Sequence, residues 1–162
     1  IVKSIELELK KCINELQLNN CAINADFILK DKKPYLLEIG ARVGATCLPE
    51  IVSIYYGINY YRHLIEVALD RKPNFIKSVK KQACAGMLLY SNKPGTIVKV
   101  DANKSQHKNI YDLSFDYAVG DVIKKFKVGP DRIGQIIVKE KNVQAAIALI
   151  NTVKSEIDLR VV

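Results

Sequence analysis

Two carboxylates, Asp26 and Glu38, sit in apolar segments on either side of a short polar turn, Lys30-Asp31-Lys32-Lys33. The flanking runs, residues 21–29 and 34–39, read as the two strands of an antiparallel hairpin. If Leu29 pairs with Tyr35 across a five-residue loop, Asp26 stands directly opposite Glu38 on one face of the ribbon. Opposed Cβ atoms lie roughly 4.5–5.5 Å apart, a distance at which two negative charges repel unless a cation or proton lies between them. A divalent ion meets that need. Mg²⁺ suits it because it accepts one or two carboxylates and completes its octahedron with water and phosphate oxygens; Mn²⁺ is the alternative. Strand alternation puts Ile28 on the same face, where an adenine ring could rest on it. Arg42, four residues past Glu38 on a loop with two glycines, is placed to reach an anion held by the metal. The plain alternative is a pair of ordinary edge-of-sheet carboxylates, one of them neutralised by Arg42. A register slip of one residue would put the acids on opposite faces.

These residues need elements to hold them. A helix is expected to about Leu16, with Ile1, Ile5, Leu9, Cys12, Ile13 and Leu16 recurring at helical spacing. After the hairpin and the loop 40–46, Pro49 opens a second helix that Gly57 ends or kinks. A third, from about Tyr60 to Leu69, presents Leu64, Ile65, Ala68 and Leu69 on one side, with His63 on the exposed side. From about Val79 the pattern turns to short strands over 83–90, 96–100, 111–116, 122–126 and 135–138, then a helix over 143–157 and a last strand over 159–162. A soft boundary falls near residues 74–79, giving domains 1–76 and 77–162.

With 162 residues and 49% apolar content, the chain can bury a sizeable core as one domain or two small ones. No run is long and apolar enough to span a bilayer and no signal peptide is legible, so no membrane partner and a cytoplasmic location are expected. The four cysteines lack metal-ligand spacing and read as reduced, buried thiols. Residues 1–70 carry a net charge of −1 and residues 71–162 a net charge of +9. That excess could attract a polyanion, but its lysines are dispersed without aromatic platforms, which disfavours nucleic acid. Because Ile1 opens a running helical pattern, the chain is expected to begin inside a longer one.

Asn24-Ala25-Asp26-Phe27-Ile28-Leu29, a turn, then Tyr35-Leu36-Leu37-Glu38-Ile39-Gly40-Ala41-Arg42 resembles the metal-ligand strand pair of the ATP-grasp superfamily, in which acidic-Phe precedes a strand ending Glu-x-Asn-x-Arg. Gly44-Ala45-Thr46-Cys47-Leu48-Pro49-Glu50 and Tyr56-Gly57-Ile58-Asn59 resemble its continuation. Pro94-Gly95-Thr96-Ile97, Val119-Gly120-Asp121-Val122, Asp131-Arg132-Ile133-Gly134-Gln135-Ile136-Ile137-Val138 and a closing helix are similar to the small C-terminal domain of biotin carboxylases and related ligases. The resemblance implies an α+β fold: the C-terminal part of an ATP-grasp domain, with an antiparallel hairpin and helices, followed by a small mostly-β domain with a closing helix.

It also implies an ADP-forming carboxylate–amine ligase, in which ATP phosphorylates an acid and an amine attacks the acyl phosphate. Asp26 and Glu38 would then hold Mg²⁺, Ile28 would touch the base, and Arg42 would bind cofactor and act catalytically on the transferred phosphate. Three departures qualify this. Gly40 stands where the superfamily's third metal ligand, an Asn, is usual, so water or substrate completes the coordination or metal binding is weaker. Thr46-Cys47 stands where biotin carboxylases carry a catalytic Glu-His, and Met87 where they carry a bicarbonate-site arginine, so bicarbonate chemistry is not expected. Expected partners are ATP, a small acid, an amine, a missing N-terminal half and, as an option, a second copy in a homodimer. Without the upstream half the isolated chain is expected to be inactive. The rival readings are a non-catalytic assembly subunit derived from the same fold and a basic polyanion-binding module.

Overall fold

The computed structural model describes residues 1–76, 81–102 and 106–162. The chain forms two compact units, one built from Ile1–Gly44 with Asn59–Phe75 and the other from Ala45–Ile58 with Ile76–Val162. Residues 77–79 of the expected boundary region lie outside the described residues.

The first unit contains α1 (Val2–Glu15), β1 (Asn24–Lys30), β2 (Lys33–Gly40) and α3 (Tyr60–Ala68). The helix α1 packs along β2, with Ile5, Leu9, Cys12 and Ile13 half-buried at the spacing read from the sequence. In α3 the covered side differs from the expected one. Leu64, Val67 and His63 are half-buried, whereas Ile65 and Leu69 are 61% and 57% exposed. Two contacts turn His63 inward: its ring lies 4.6 Å from that of Phe75 and Nδ1 is 3.0 Å from Glu66 Oε2. An aromatic neighbour and a carboxylate one helical turn away outweigh the imidazole's affinity for water, a pairing that helical periodicity does not reveal.

The second unit holds α2 (Leu48–Tyr56), β3 (Ala83–Leu89), β4 (Gly95–Asp101), β5 (Ile110–Phe115), β6 (Val122–Ile123), β7 (Gly134–Glu140), α4 (Val143–Glu156) and β8 (Asp158–Val161). Two antiparallel three-stranded sheets run in the orders β3-β7-β5 and β6-β4-β8. The expected strand over 122–126 shortens to two residues.

The central strand β7 is covered on both faces, which accounts for its unbroken apolar run. Ile136 and Val138 join Ala85, Met87 and Leu89 under Ala146, Ile150 and Val153 of α4. On the opposite face Ile137 joins Cys84 and Leu88 against Cys47, Ile51 and Ile54 of the α2 segment. Gly86 permits that second contact, because a Cβ there would fall 2.7 Å from Cys47 Cβ and 3.1 Å from Ile51 Cδ1. A third cluster, Ile97, Ile123 and Ile133, fills the space beside the β4 sheet. Gly57, with φ 64°, closes α2 in the left-handed conformation that suits a helix C-terminus.

Candidate active site

Asp26 and Glu38 are Cα partners across the hairpin, so the expected pairing of the two acids holds. The route to it differs. Leu29 pairs with Pro34 rather than Tyr35, and Lys30 pairs with Lys33 across a two-residue turn whose residues, Asp31 and Lys32, have φ values of 50° and 61°. Positive φ at both positions gives the turn the twist that antiparallel strands favour. A bulge between the Phe27–Leu36 and Asp26–Glu38 pairs then absorbs Leu37 and shifts the register by one residue. The error in turn length and the unforeseen bulge cancel at the acids.

Alternation along β1 sorts the two faces of the ribbon. Ala25, Phe27, Pro34, Leu36 and Ile39 form the half-buried face. Asp26, Ile28, Tyr35 and Glu38 form the exposed one, with Ile28 53% and Tyr35 50% exposed. Ile28 therefore shares the carboxylate face, and Tyr35 stands opposite it, a neighbour that the five-residue loop would have misplaced. A groove of about 300 Å³ between α1 and the turn end of the hairpin is lined by Lys32, Lys33, Pro34 and Tyr35, and neither acid borders it. The acids lie on the open surface of this unit.

Among the described residues, neither the Asp26 nor the Glu38 side chain has an ion pair or a hydrogen bond. Arg42 does not neutralise them: its Nη1 donates to Val43 O at 2.9 Å, and its Cγ and Nε lie 3.5 and 3.8 Å from where a Cβ on Gly40 would be. Two opposed carboxylates with no cation from the protein are a donor set that fits a hard divalent ion. The pair stands apart from other acids, since no group of three or more His, Cys, Asp or Glu among the described residues is arranged to hold a metal. Those residues also contain no helix long and apolar enough to cross a membrane.

The second unit carries a polar cluster on the α2 face of its sheet. Gln135 is the buried polar side chain of β7, and its Oε1 accepts from Arg132 Nη1 at 3.0 Å and from Cys47 Sγ at 3.6 Å. Its Nε2 donates to Asp112 Oδ2 at 2.6 Å, which also accepts from Ser114 Oγ at 3.0 Å. Arg132 Nε donates to Asp116 Oδ2 at 2.7 Å in an ion pair. Sequence reading missed this network, yet a glutamine inside a doubly covered apolar strand was a usable signal, because a buried amide requires partners.

Burial pushes the Cys47 thiol up, nearby Glu50 adds to the rise and Arg132 opposes it; burial likewise raises Cys84. Both behave as the inert thiols expected, whereas Cys21 is exposed. That corrects the expectation that all four are buried: Cys21 lies in the turn before β1, outside any packed face. Met87, at the place of the biotin-carboxylase arginine, packs against the α4 core.

A family model described as L-amino acid ligase C-terminal domain 2 matches residues 87–162. A search of the curated proteins finds no significant match. Among solved structures, the chain is similar to phosphoribosylglycinamide synthetase from Anaerococcus prevotii at 36% identity and a TM-score of 0.90, covering 99% of this chain and 42% of that one. It resembles L-amino acid ligase from Bacillus licheniformis at 19% identity and a TM-score of 0.80, over 98% of this chain and 40% of that one. Biotin carboxylase from Campylobacter jejuni, solved as a β,γ-ATP complex, matches at 18% identity and a TM-score of 0.66, over 87% of this chain and 32% of that one. The chain thus spans about two fifths or less of the length of each of these relatives. With these likenesses, the chain belongs to the ATP-grasp superfamily as a C-terminal region of its fold.

Proposed function

We propose that this chain supplies the metal-binding strands and the small closing domain of an ADP-forming ligase that activates a carboxylate as its acyl phosphate for attack by an amine. The observation that carries the reading is the pairing of Asp26 with Glu38 on an exposed face with no basic partner. Asp26 and Glu38 would hold Mg²⁺, or Mn²⁺ in its place. When bound, the ion neutralises phosphate charge and stabilises the transferring group. The carboxylates fix its position through a ribbon braced by α1. Ile28 offers apolar surface for the base, and Arg42, exposed on the loop after β2, offers a fork of donors to the transferred phosphate or acyl phosphate. The L-amino acid ligase match over residues 87–162 favours an amine as nucleophile. Thr46-Cys47 and Met87, where biotin carboxylases carry reactive and charged groups, argue against bicarbonate. In this reading residues 1–76 carry the metal site, residues 77–162 form the smaller domain, and the reaction is cytoplasmic.

Replacing Asp26 with Asn or Glu38 with Gln in the full-length protein tests the assignment. Turnover is expected to fall by several orders of magnitude in either variant, because transition-state charge loses its counter-ion. Unchanged turnover removes both residues from the chemistry. The same measurement bears on a second reading, a non-catalytic assembly subunit, which Gly40 favours by leaving one metal-ligand position without an oxygen.

A further inference from the structure

Resting on the metal-site reading just given, we infer that Asn24 supplies the oxygen Gly40 cannot, so that the ion's third side-chain ligand comes from β1 instead of β2. The register places Asn24 directly opposite Gly40, two pairs beyond Asp26 and Glu38 and so on the same face. The bulge leaves this end of the ladder undisturbed, because the shift lies between Asp26 and Phe27, on the turn side of the acids. Asn24, Asp26 and Glu38 therefore form three corners of a rectangle whose fourth corner, Gly40, has no side chain.

The dimensions suit one ion or a bridged pair. Residues two apart on a strand are separated by roughly 7 Å, and opposed residues by roughly 5 Å. Oxygens on opposite sides of a Mg²⁺ octahedron are about 4 Å apart, which inward-leaning side chains can span from those positions. Gly40 leaves its corner without a side chain of its own, and Arg42 Cγ and Nε lie 3.5 and 3.8 Å from where its Cβ would be. Asn24 has the right chemistry: its amide carbonyl is a hard, neutral oxygen donor that adds no third negative charge to the pair. It is also available, because among the described residues its side chain has no hydrogen-bond partner, though it is half-buried at the strand's start.

The geometry permits a direct exchange test. Gly40 has no positive φ, and a Cβ there would meet only Arg42 Cγ at 3.5 Å and Nε at 3.8 Å, both ordinary contacts with a flexible side chain. An asparagine can therefore be moved from one corner of the rectangle to the other. The probe is Mn²⁺ with a non-hydrolysable ATP analogue bound to the full-length protein. Bound ion is read by electron paramagnetic resonance, and folding is checked by thermal melting. Asn24→Ala is expected to weaken Mn²⁺ binding at least about tenfold, since even outer-shell partners of a metal typically contribute that much. Asn24→Asp should retain binding, and Gly40→Asn in the Asn24→Ala background should restore it.

The outcomes separate this inference from the reading beneath it. If Asp26→Asn abolishes Mn²⁺ binding while Asn24→Ala changes it less than twofold, the Asn24 ligand is overturned and the two-carboxylate site stands. If Asp26→Asn is also without effect, the metal site itself is overturned. A loss in Asn24→Ala that neither Asn24→Asp nor Gly40→Asn recovers, accompanied by a lower melting temperature, makes Asn24 a structural residue and also overturns the inference.

Discussion

At the scale of single residues, surroundings separate a carboxylate held by the protein's own cations from a pair that has none. Asp158 is held from both sides: Arg160 grips it with Nε at 2.8 Å and Nη2 at 2.9 Å, and Lys99 Nζ lies 2.7 Å away. The Arg160 hydrogen bonds, followed by that of Lys99, lower its pKa from the ordinary 3.8 to about 2. Its folded-state value is depressed, so the stabilisation is fully present above the ordinary carboxylate range and is lost as pH falls from about 4 toward 2. Replacing Asp158 with Asn should flatten the dependence of melting temperature on pH within that window; an unchanged slope would show that other groups set it. Among the described residues, the Asp26 and Glu38 side chains have no such guanidinium. Sequence made the acids legible because strand periodicity is strong and the acid types stand out. Gln135 was less legible, since its partners Asp112 and Arg132 come from separate segments that only the folded sheet brings together.

At the scale of elements, most boundaries could be read from periodicity and turn residues, and the errors have local causes. The strand expected over 122–126 shortens because its pairing with β4 covers only Thr96 and Gly95. The α3 face was misjudged because Phe75 and Glu66 draw His63 inward. The tight seat of α2 on β3 was invisible in sequence, because it depends on a hydrogen atom at Gly86 where any other residue has a carbon. Gly86→Ala forces Cβ into the Cys47 side chain at its root, where no rotamer change can clear it. The variant should be destabilised by about 1–3 kcal/mol in chemical denaturation, the usual range for overpacking. A loss below a few tenths of a kcal/mol would mean that the α2 segment shifts without cost.

At the scale of the whole chain, the charge is uneven, −1 over residues 1–70 and +9 over residues 71–162. Internal pairs such as Lys99–Asp158, Arg160–Asp158 and Arg132–Asp116 occupy some of the basic side chains of residues 71–162 without changing that segment's net charge of +9. A polyanion complex built on the remainder should weaken steeply between low and physiological salt, whereas Mg-ATP chemistry should follow metal concentration more closely. The chain spans 42% of the Anaerococcus prevotii structure it resembles. Given millimolar Mg-ATP and a mixture of amino acids, the isolated chain is expected to release no ADP above background. Measurable ADP formation would show that these residues suffice for turnover. The family was readable at this scale only through the order of motifs along the chain, because composition and charge alone are compatible with many α+β proteins.

The surplus residue in β2 makes the hairpin unequal in its tolerance of deletion. Removing Leu37, which is 67% exposed, lets the ribbon run straight from the turn and still leaves Glu38 facing Asp26. Removing Phe27 from the other arm leaves no spare position to absorb the loss, so Asp26 would meet Leu36. Shortened variants should therefore keep Mn²⁺ binding when the codon is lost from β2 and forfeit it when the codon is lost from β1, and sequence drift through insertions and deletions should be confined to one arm.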